Sequence, residues 1–152
     1  MRTTITAERR MTAPPELIYL CLANYRDHHR PDGFLPDSFS NFEISRGGIG
    51  AGTDASWTVT TGGRPRHIKA TITEPEPGRV LLETAEGLET TFTVDPAPGG
   101  ALVRFETVID DPGLQGFLTR LFAERLLRPV YEDELTRLEV YAQRLAREQQ
   151  AA

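Results

Sequence analysis

A chain of 152 residues with 39% apolar and 26% charged residues has the balance of one folded domain with its own core, which excludes wholesale disorder. The net charge is −5, and the 17 basic residues include a single lysine, Lys69, with the arginines scattered. That excludes the clustered cationic surface by which proteins neutralise nucleic-acid phosphates or anionic membranes. No apolar run approaches the ~20 residues needed to span a bilayer, and the opening residues alternate rather than forming the apolar block of a secretory leader, so a cytoplasmic location is expected.

In chain order, the first strand is predicted over residues 3–11. The segment Thr12-Ala13-Pro14-Pro15-Glu16 then opens a helix. Proline is tolerated in a first turn, where its missing N–H has no partner, and Glu16 suits the N-terminal dipole. Leu17, Ile18, Leu20, Cys21, Leu22 and Tyr25 cover most of that helix's circumference, so it should be well buried. Cys21, the single cysteine, excludes an intrachain disulfide and reads as a buried small hydrophobe. Pro31, Gly33 and Pro36 make residues 27–37 a loop or broken helix.

Six further strands are predicted near 40–46, 53–61, 65–74, 79–84, 88–95 and 101–110. Thr61-Gly62-Gly63-Arg64, Pro75-Glu76-Pro77-Gly78, Ala85-Glu86-Gly87 and residues 95–100 punctuate them as turns. Between turns the residues alternate: Trp57 and Val59 against Thr58 and Thr60, Phe92 and Val94 against Thr91 and Thr93. Period-two alternation with one wet face marks an antiparallel meander. From about residue 114 to 147 the pattern is helical, in two apolar stripes. Leu114, Phe117, Leu118, Leu121 and Phe122 form one; Leu127, Val130, Tyr131, Leu135, Leu138, Tyr141 and Leu145 form the other. At about 100° per residue their centres lie more than a quarter turn apart. Pro129 sits at the junction, which predicts a short helix ending near Arg128 and a longer one after it. An open sheet cannot leave its apolar face wet, and only the C-terminal helix is long enough to cover it. The expected architecture is α+β, one domain over residues 1–148 with a disordered tail at 149–152.

Chemistry-bearing residues are few. His28 and His29 are adjacent, and an adjacent pair titrating near neutrality can act as acid and base. Neighbours on a helix point apart, however, so the pair makes no metal site, and a solvated or locally hydrogen-bonded loop end is the plainer reading. His67 falls on an outward strand position. Gly48, Gly50 and Gly52 precede a strand rather than a helix, so they do not form a dinucleotide fingerprint. No catalytic residue, metal or cofactor is assigned. Inward polar candidates are Thr84, Thr90, Thr107, Tyr131 and Tyr141; Glu83, Glu89, Arg104 and Glu106 point inward only if the strand parity shifts by one.

Met11-Thr12-Ala13-Pro14-Pro15-Glu16-Leu17-Ile18-Tyr19, Gly48-Ile49-Gly50-Ala51-Gly52-Thr53, Thr73-Glu74-Pro75-Glu76-Pro77-Gly78-Arg79-Val80-Leu81, Thr91-Phe92-Thr93-Val94 and residues 126–138 together resemble the START-like (SRPBCC) helix-grip superfamily. Within it the chain looks similar to the bacterial polyketide cyclase/dehydrase-like proteins, over nearly its whole length. The resemblance implies a curved seven-stranded antiparallel sheet, as in Bet v 1-like folds, wrapped around the C-terminal helix. It also implies a cavity between them for a lipid- or polyketide-like molecule. Carried over position by position, Trp57, Val59, Ile72, Phe92, Phe105 and Thr107 line the sheet side, and Leu127, Tyr131, Leu135 and Leu138 the helix side. Phe34 and Phe39 gate one end. The same side chains equally describe a filled core, since a pocket requires a void that sequence does not display.

Three functions compete. The first is a non-catalytic binder of a small hydrophobic molecule, favoured by an apolar concave face with few ionisable groups. The second is a polyketide cyclase or dehydratase, which requires at least one of His28 and His29 to face the cavity. The third is a protein-interaction module, a homodimer among its forms, with the glycine loop and the Phe34/Phe39 segment as an exposed apolar patch.

Overall fold

The computed structural model describes residues 2–110 and 123–151. β1 (Arg2–Met11) leads into α1 (Pro15–Ala23) and a single helical turn, α2 (Tyr25–His28). The meander follows as β2 (Phe39–Arg46), β3 (Asp54–Thr61), β4 (Arg64–Glu76), β5 (Val80–Ala85), β6 (Leu88–Ala97) and β7 (Gly100–Asp110). A π-helical turn (Ala123–Leu127) and the long α3 (Arg128–Ala151) complete the described chain. Each predicted strand is present, and the boundaries differ by one or two residues. The seven strands form one antiparallel sheet in the order β1-β7-β6-β5-β4-β3-β2, so β1 closes on β7 and β2 is the far edge. This is the helix-grip fold.

Helix α3 crosses the concave face but does not lie centrally on it. It packs against β1 and α1, and the Arg128 guanidinium donates to the Thr6 carbonyl, pinning the start of the helix to β1. Where β1 and β7 meet the helix the core is closed: Ile5, Val103, Phe105, Leu135 and Leu138 are at most 1% exposed. Farther along the sheet, toward β2, the helix stands off and space remains.

Pro129 falls in the first turn of α3, directly after the π-helical turn, and its missing N–H interrupts the helical ladder at that junction. The earlier stripe, from Leu114 to Phe122, lies outside the described residues. At its other end α3 continues to Ala151, through most of the stretch expected to be a disordered tail. Arg144, Glu148, Gln149 and Gln150 are good helix formers, and Arg144 pairs with Glu148 one turn on at 3.9 Å. Among the described residues no helix is long and apolar enough to cross a membrane.

The glycine loop between β2 and β3 holds the end of α1. The Gly48 carbonyl accepts from the Tyr25 and Arg26 amides, and the Gly50 amide donates to the Ala23 carbonyl. Gly50 has φ +62°, and a Cβ there would lie 2.3 Å from Glu74 Oε1. That carboxylate accepts from the Ala51 amide (2.8 Å) and from the Tyr19 hydroxyl (2.5 Å). Gly50→Ala is thus expected to cost about 1–3 kcal/mol, from the left-handed backbone and the displaced carboxylate together. A urea midpoint unchanged by the substitution contradicts this reading of the loop.

Candidate functional site

The standoff between α3 and the β2 side of the sheet leaves a cavity of about 70 Å³. Its walls are Phe39 and Phe42 from β2, Trp57 and Val59 from β3, Ile68 from β4, Leu88 and Phe92 from β6, and Leu127 and Tyr131 from the helical segment. At ~10–15 Å³ per water, the space holds several waters, and a larger guest requires the half-buried Phe39, Phe42 and Val59 to move.

Aromatic stacking builds one wall. Phe42 lies parallel to Trp57 (5.6 Å between centroids, 11°) and to Tyr25 (6.3 Å, 15°), and Tyr25 stacks on His29 at 3.9 Å. A β-bulge makes this possible. Asn41 adopts φ +53°, and the β2–β3 register shifts between Ser40 and Glu43, so Phe39 and Phe42, three apart, both face the cavity.

The polar groups converge at the inner end. Glu83 on β5 and Glu134 on α3 both line the cavity. Tyr25 Oη donates to Glu83 Oε2 at 2.6 Å. Glu83 keeps some accessible surface through the cavity while protein atoms enclose it on every side; burial pushes its carboxyl up to about 7. Glu134 is 6% exposed. Burial first, then the charge of Glu83, raises its carboxyl well above the usual range. Among the described residues Glu134 makes no hydrogen bond or ion pair, so its oxygens open into the cavity. His29 Nε2 faces the Leu22 carbonyl at 2.8 Å; a carbonyl only accepts, so Nε2 carries the proton. Burial pushes His29 down to about 3, and the ring is neutral at any working pH. Thr107 donates to the Tyr131 hydroxyl oxygen (2.8 Å) and lies 2.9 Å from Thr90, which fixes the Tyr131 ring and leaves its proton to be donated. Arg66, exposed on β4, reaches the mouth.

The structure brings six of the twelve sequence-selected positions to the cavity: Trp57, Val59, Phe92, Leu127, Tyr131 and Phe39. The other six do not line it. Phe105, Leu135 and Leu138 are sealed into the core because α3 leans on β1, Ile72 on β4 is likewise 0% exposed and outside the cavity lining, and Thr107 sits behind Tyr131. Phe34 gates nothing: it is 0% exposed, packed between His29 (4.8 Å) and Tyr141 (6.2 Å). With Phe34 buried and Phe39 half-buried, the exposed apolar patch expected of that segment is not formed. Thr84 is a further correction. Leu81 pairs with Phe92 and Glu83 with Thr90, so Glu83 faces inward and Thr84 is exposed. Of the two histidines, His29 lines the cavity, whereas His28 Nδ1 lies 2.5 Å from the Tyr141 hydroxyl, outside the cavity lining. Glu134 was missed, although it falls between Tyr131 and Leu138 on the apolar stripe, where a carboxylate is out of place.

A curved antiparallel sheet gripping a helix over an aromatic-walled cavity defines a helix-grip protein with an internal cavity. The chain belongs to the family described as polyketide cyclase/dehydrase and lipid transport, whose sequence profile matches residues 2–143. No curated protein sequence is similar enough to count as a match. Among solved structures, the KanY protein superposes with a TM-score of 0.78 at 24% identity, over 94% of this chain and 99% of that one. TTHA0849 from Thermus thermophilus superposes at 0.75 and 21% identity, with the same coverage. The Zhui aromatase/cyclase from a Streptomyces strain gives 0.71 at 14%, over 95% of each chain. These likenesses concern the fold.

Proposed function

We propose that this protein binds a small, largely apolar molecule of polyketide or lipid type in the cavity between the sheet and α3. The observation that carries the reading is the cavity wall itself, where stacked Phe42 and Trp57 face Phe92, Leu127 and Tyr131 across open space. Flat aromatic walls favour flat or extended apolar guests, and few polar groups suffice to fix their orientation. The family's description as polyketide cyclase/dehydrase and lipid transport, and the aromatase/cyclase Zhui among proteins of the same fold, support a guest of this type. Trp57 is the single tryptophan, so its fluorescence reports occupancy directly. Native mass spectrometry after gentle purification is expected to show a co-purifying small molecule, and organic extraction to change Trp57 emission. A protein that is always empty, and whose Trp57 emission no hydrophobic probe alters, refutes the reading.

A second reading is catalysis of cyclase or dehydratase type in the same cavity. It is favoured by Glu83, whose carboxyl near 7 is suited to exchange protons at neutral pH, beside a second carboxyl on Glu134. Under that reading Glu83→Gln retains ligand binding and abolishes turnover. Under the binding reading no turnover is found in either protein.

A further inference from the structure

Two carboxyl groups line a cavity whose other walls are mainly apolar, and among the described residues neither of them is in an ion pair. Glu83 has the Tyr25 hydroxyl; Glu134 has no partner among the described residues. A buried acid without a partner is costly, and removing one by Glu→Gln or Glu→Leu is chemically trivial. The groups facing the pair are Tyr25 from α2, His29 from the loop after it, Tyr131 on α3 and Thr90 on β6. None of these is cationic at neutral pH, since His29 is neutral and its Nε2 is committed to the Leu22 carbonyl. Arg66 lines the same cavity from the exposed part of β4 and forms no ion pair with either carboxylate. The stacked Phe42 and Trp57 rings line the same cavity as the carboxyls.

We propose that the cavity's natural occupant carries a protonated amine on its apolar body, seated between Glu83 and Glu134 against the aromatic wall. This rests on the reading of the cavity as a binding site and names the ligand's chemical class. The ammonium donates hydrogen bonds to both carboxylates and replaces the proton that the pair holds in its absence. That proton passes to the buffer, so charge within the cavity changes by no more than the ligand brings. A neutral alcohol can donate to one carboxyl and accept from a protonated one but brings no charge to balance the pair, and a carboxylate is repelled.

The test uses three probes of one shape: n-octylamine, n-octanol and n-octanoate, titrated against the whole protein with Trp57 fluorescence and calorimetry as readouts. The amine stays protonated throughout the range about pH 6 to about 8. It is expected to bind at least ~10-fold tighter than the alcohol near pH 8, and to weaken toward pH 6 as the carboxyls regain their proton. Calorimetry in buffers of different ionisation enthalpy is expected to show proton release. Glu134→Gln is expected to abolish the amine's advantage while octanol binding is kept, which also shows that the variant is folded. Alcohol or octanoate binding as tight as the amine, or an amine preference untouched by Glu134→Gln, overturns the proposal and leaves the cavity as a binding site. Failure of all three probes to bind removes the binding site and this inference with it.

Discussion

Raising the pH from about 5 to about 8 is expected to destabilise this protein, and Glu134→Gln is expected to remove much of the loss. In the unfolded chain a glutamate titrates near 4.5, whereas Glu83 in the fold is pushed up to about 7 and Glu134 is raised well beyond the usual range. Between those values the folded state holds protons that the unfolded state has released. Stability then falls as pH rises, because its slope follows protons bound unfolded minus protons bound folded. For Glu83 a rise from 4.5 to about 7, at ~1.4 kcal/mol per unit, bounds the contribution at about 3.5 kcal/mol, less whatever cavity water screens. Its contribution is complete below pH ~4.5 and is lost by pH ~7; that of Glu134 persists higher. His29 acts with the opposite sign. Held neutral down to about 3 against an ordinary 6.5, it costs stability as pH falls below 6.5. The two effects oppose each other between 4.5 and 6.5, and above that only the carboxyls remain. The steepest net loss is therefore expected above pH ~6.5, with an optimum on the acid side of neutrality. Urea midpoints measured at pH steps decide it. A midpoint that is flat or rising from about 6 to about 8, or a Glu134→Gln variant with an unaltered slope, is incompatible with two buried carboxyls in the cavity.

The fold was legible because its signals are local and repeated. Alternation such as Ile68-Lys69-Ala70-Thr71-Ile72 and turn residues such as Gly62-Gly63 locate a strand and its end without knowledge of the partner. The cavity was half legible for a different reason. Parity tells which residues face the helix but not how far away the helix stands. Trp57 and Phe105 satisfy the same pattern, yet Trp57 borders space and Phe105 is sealed, because α3 leans on β1. Bulges hide further residues. Phe42 breaks the alternation of β2 through the left-handed Asn41, and no residue type in that segment announces it. β5 hides Glu83 because Val80-Leu81-Leu82 is apolar on both faces, leaving its phase to be set by pairing with β6. Glu134 alone stood in plain view, as an acid on the apolar stripe of a helix.

Phe105→Ala is expected to cost about 3–5 kcal/mol, a large share of the stability of a domain this size. Phe105 is 0% exposed on β7, paired with Ala7 of β1 and Phe92 of β6. Its ring meets Phe92 edge-on at 4.7 Å and Tyr131 edge-on at 6.2 Å, joining the sheet to the start of α3. Truncation removes those contacts and leaves a void that the rigid β1–β7–β6 ladder resists closing. Phe42→Ala provides the contrast. Phe42 is half-buried and already borders the cavity, so its loss widens existing space and is expected to cost about 1–2 kcal/mol. Denaturant midpoints with unchanged slopes measure both, and equal losses contradict the division between sealed core and cavity wall. The effect also reaches the site. Tyr131 is seated by Phe105 on one side and by the Thr107 hydroxyl on another, so removing the phenyl ring frees the tyrosine that closes the helix side of the cavity. A ligand that binds against Tyr131 is therefore expected to bind Phe105→Ala more weakly, although Phe105 never touches it.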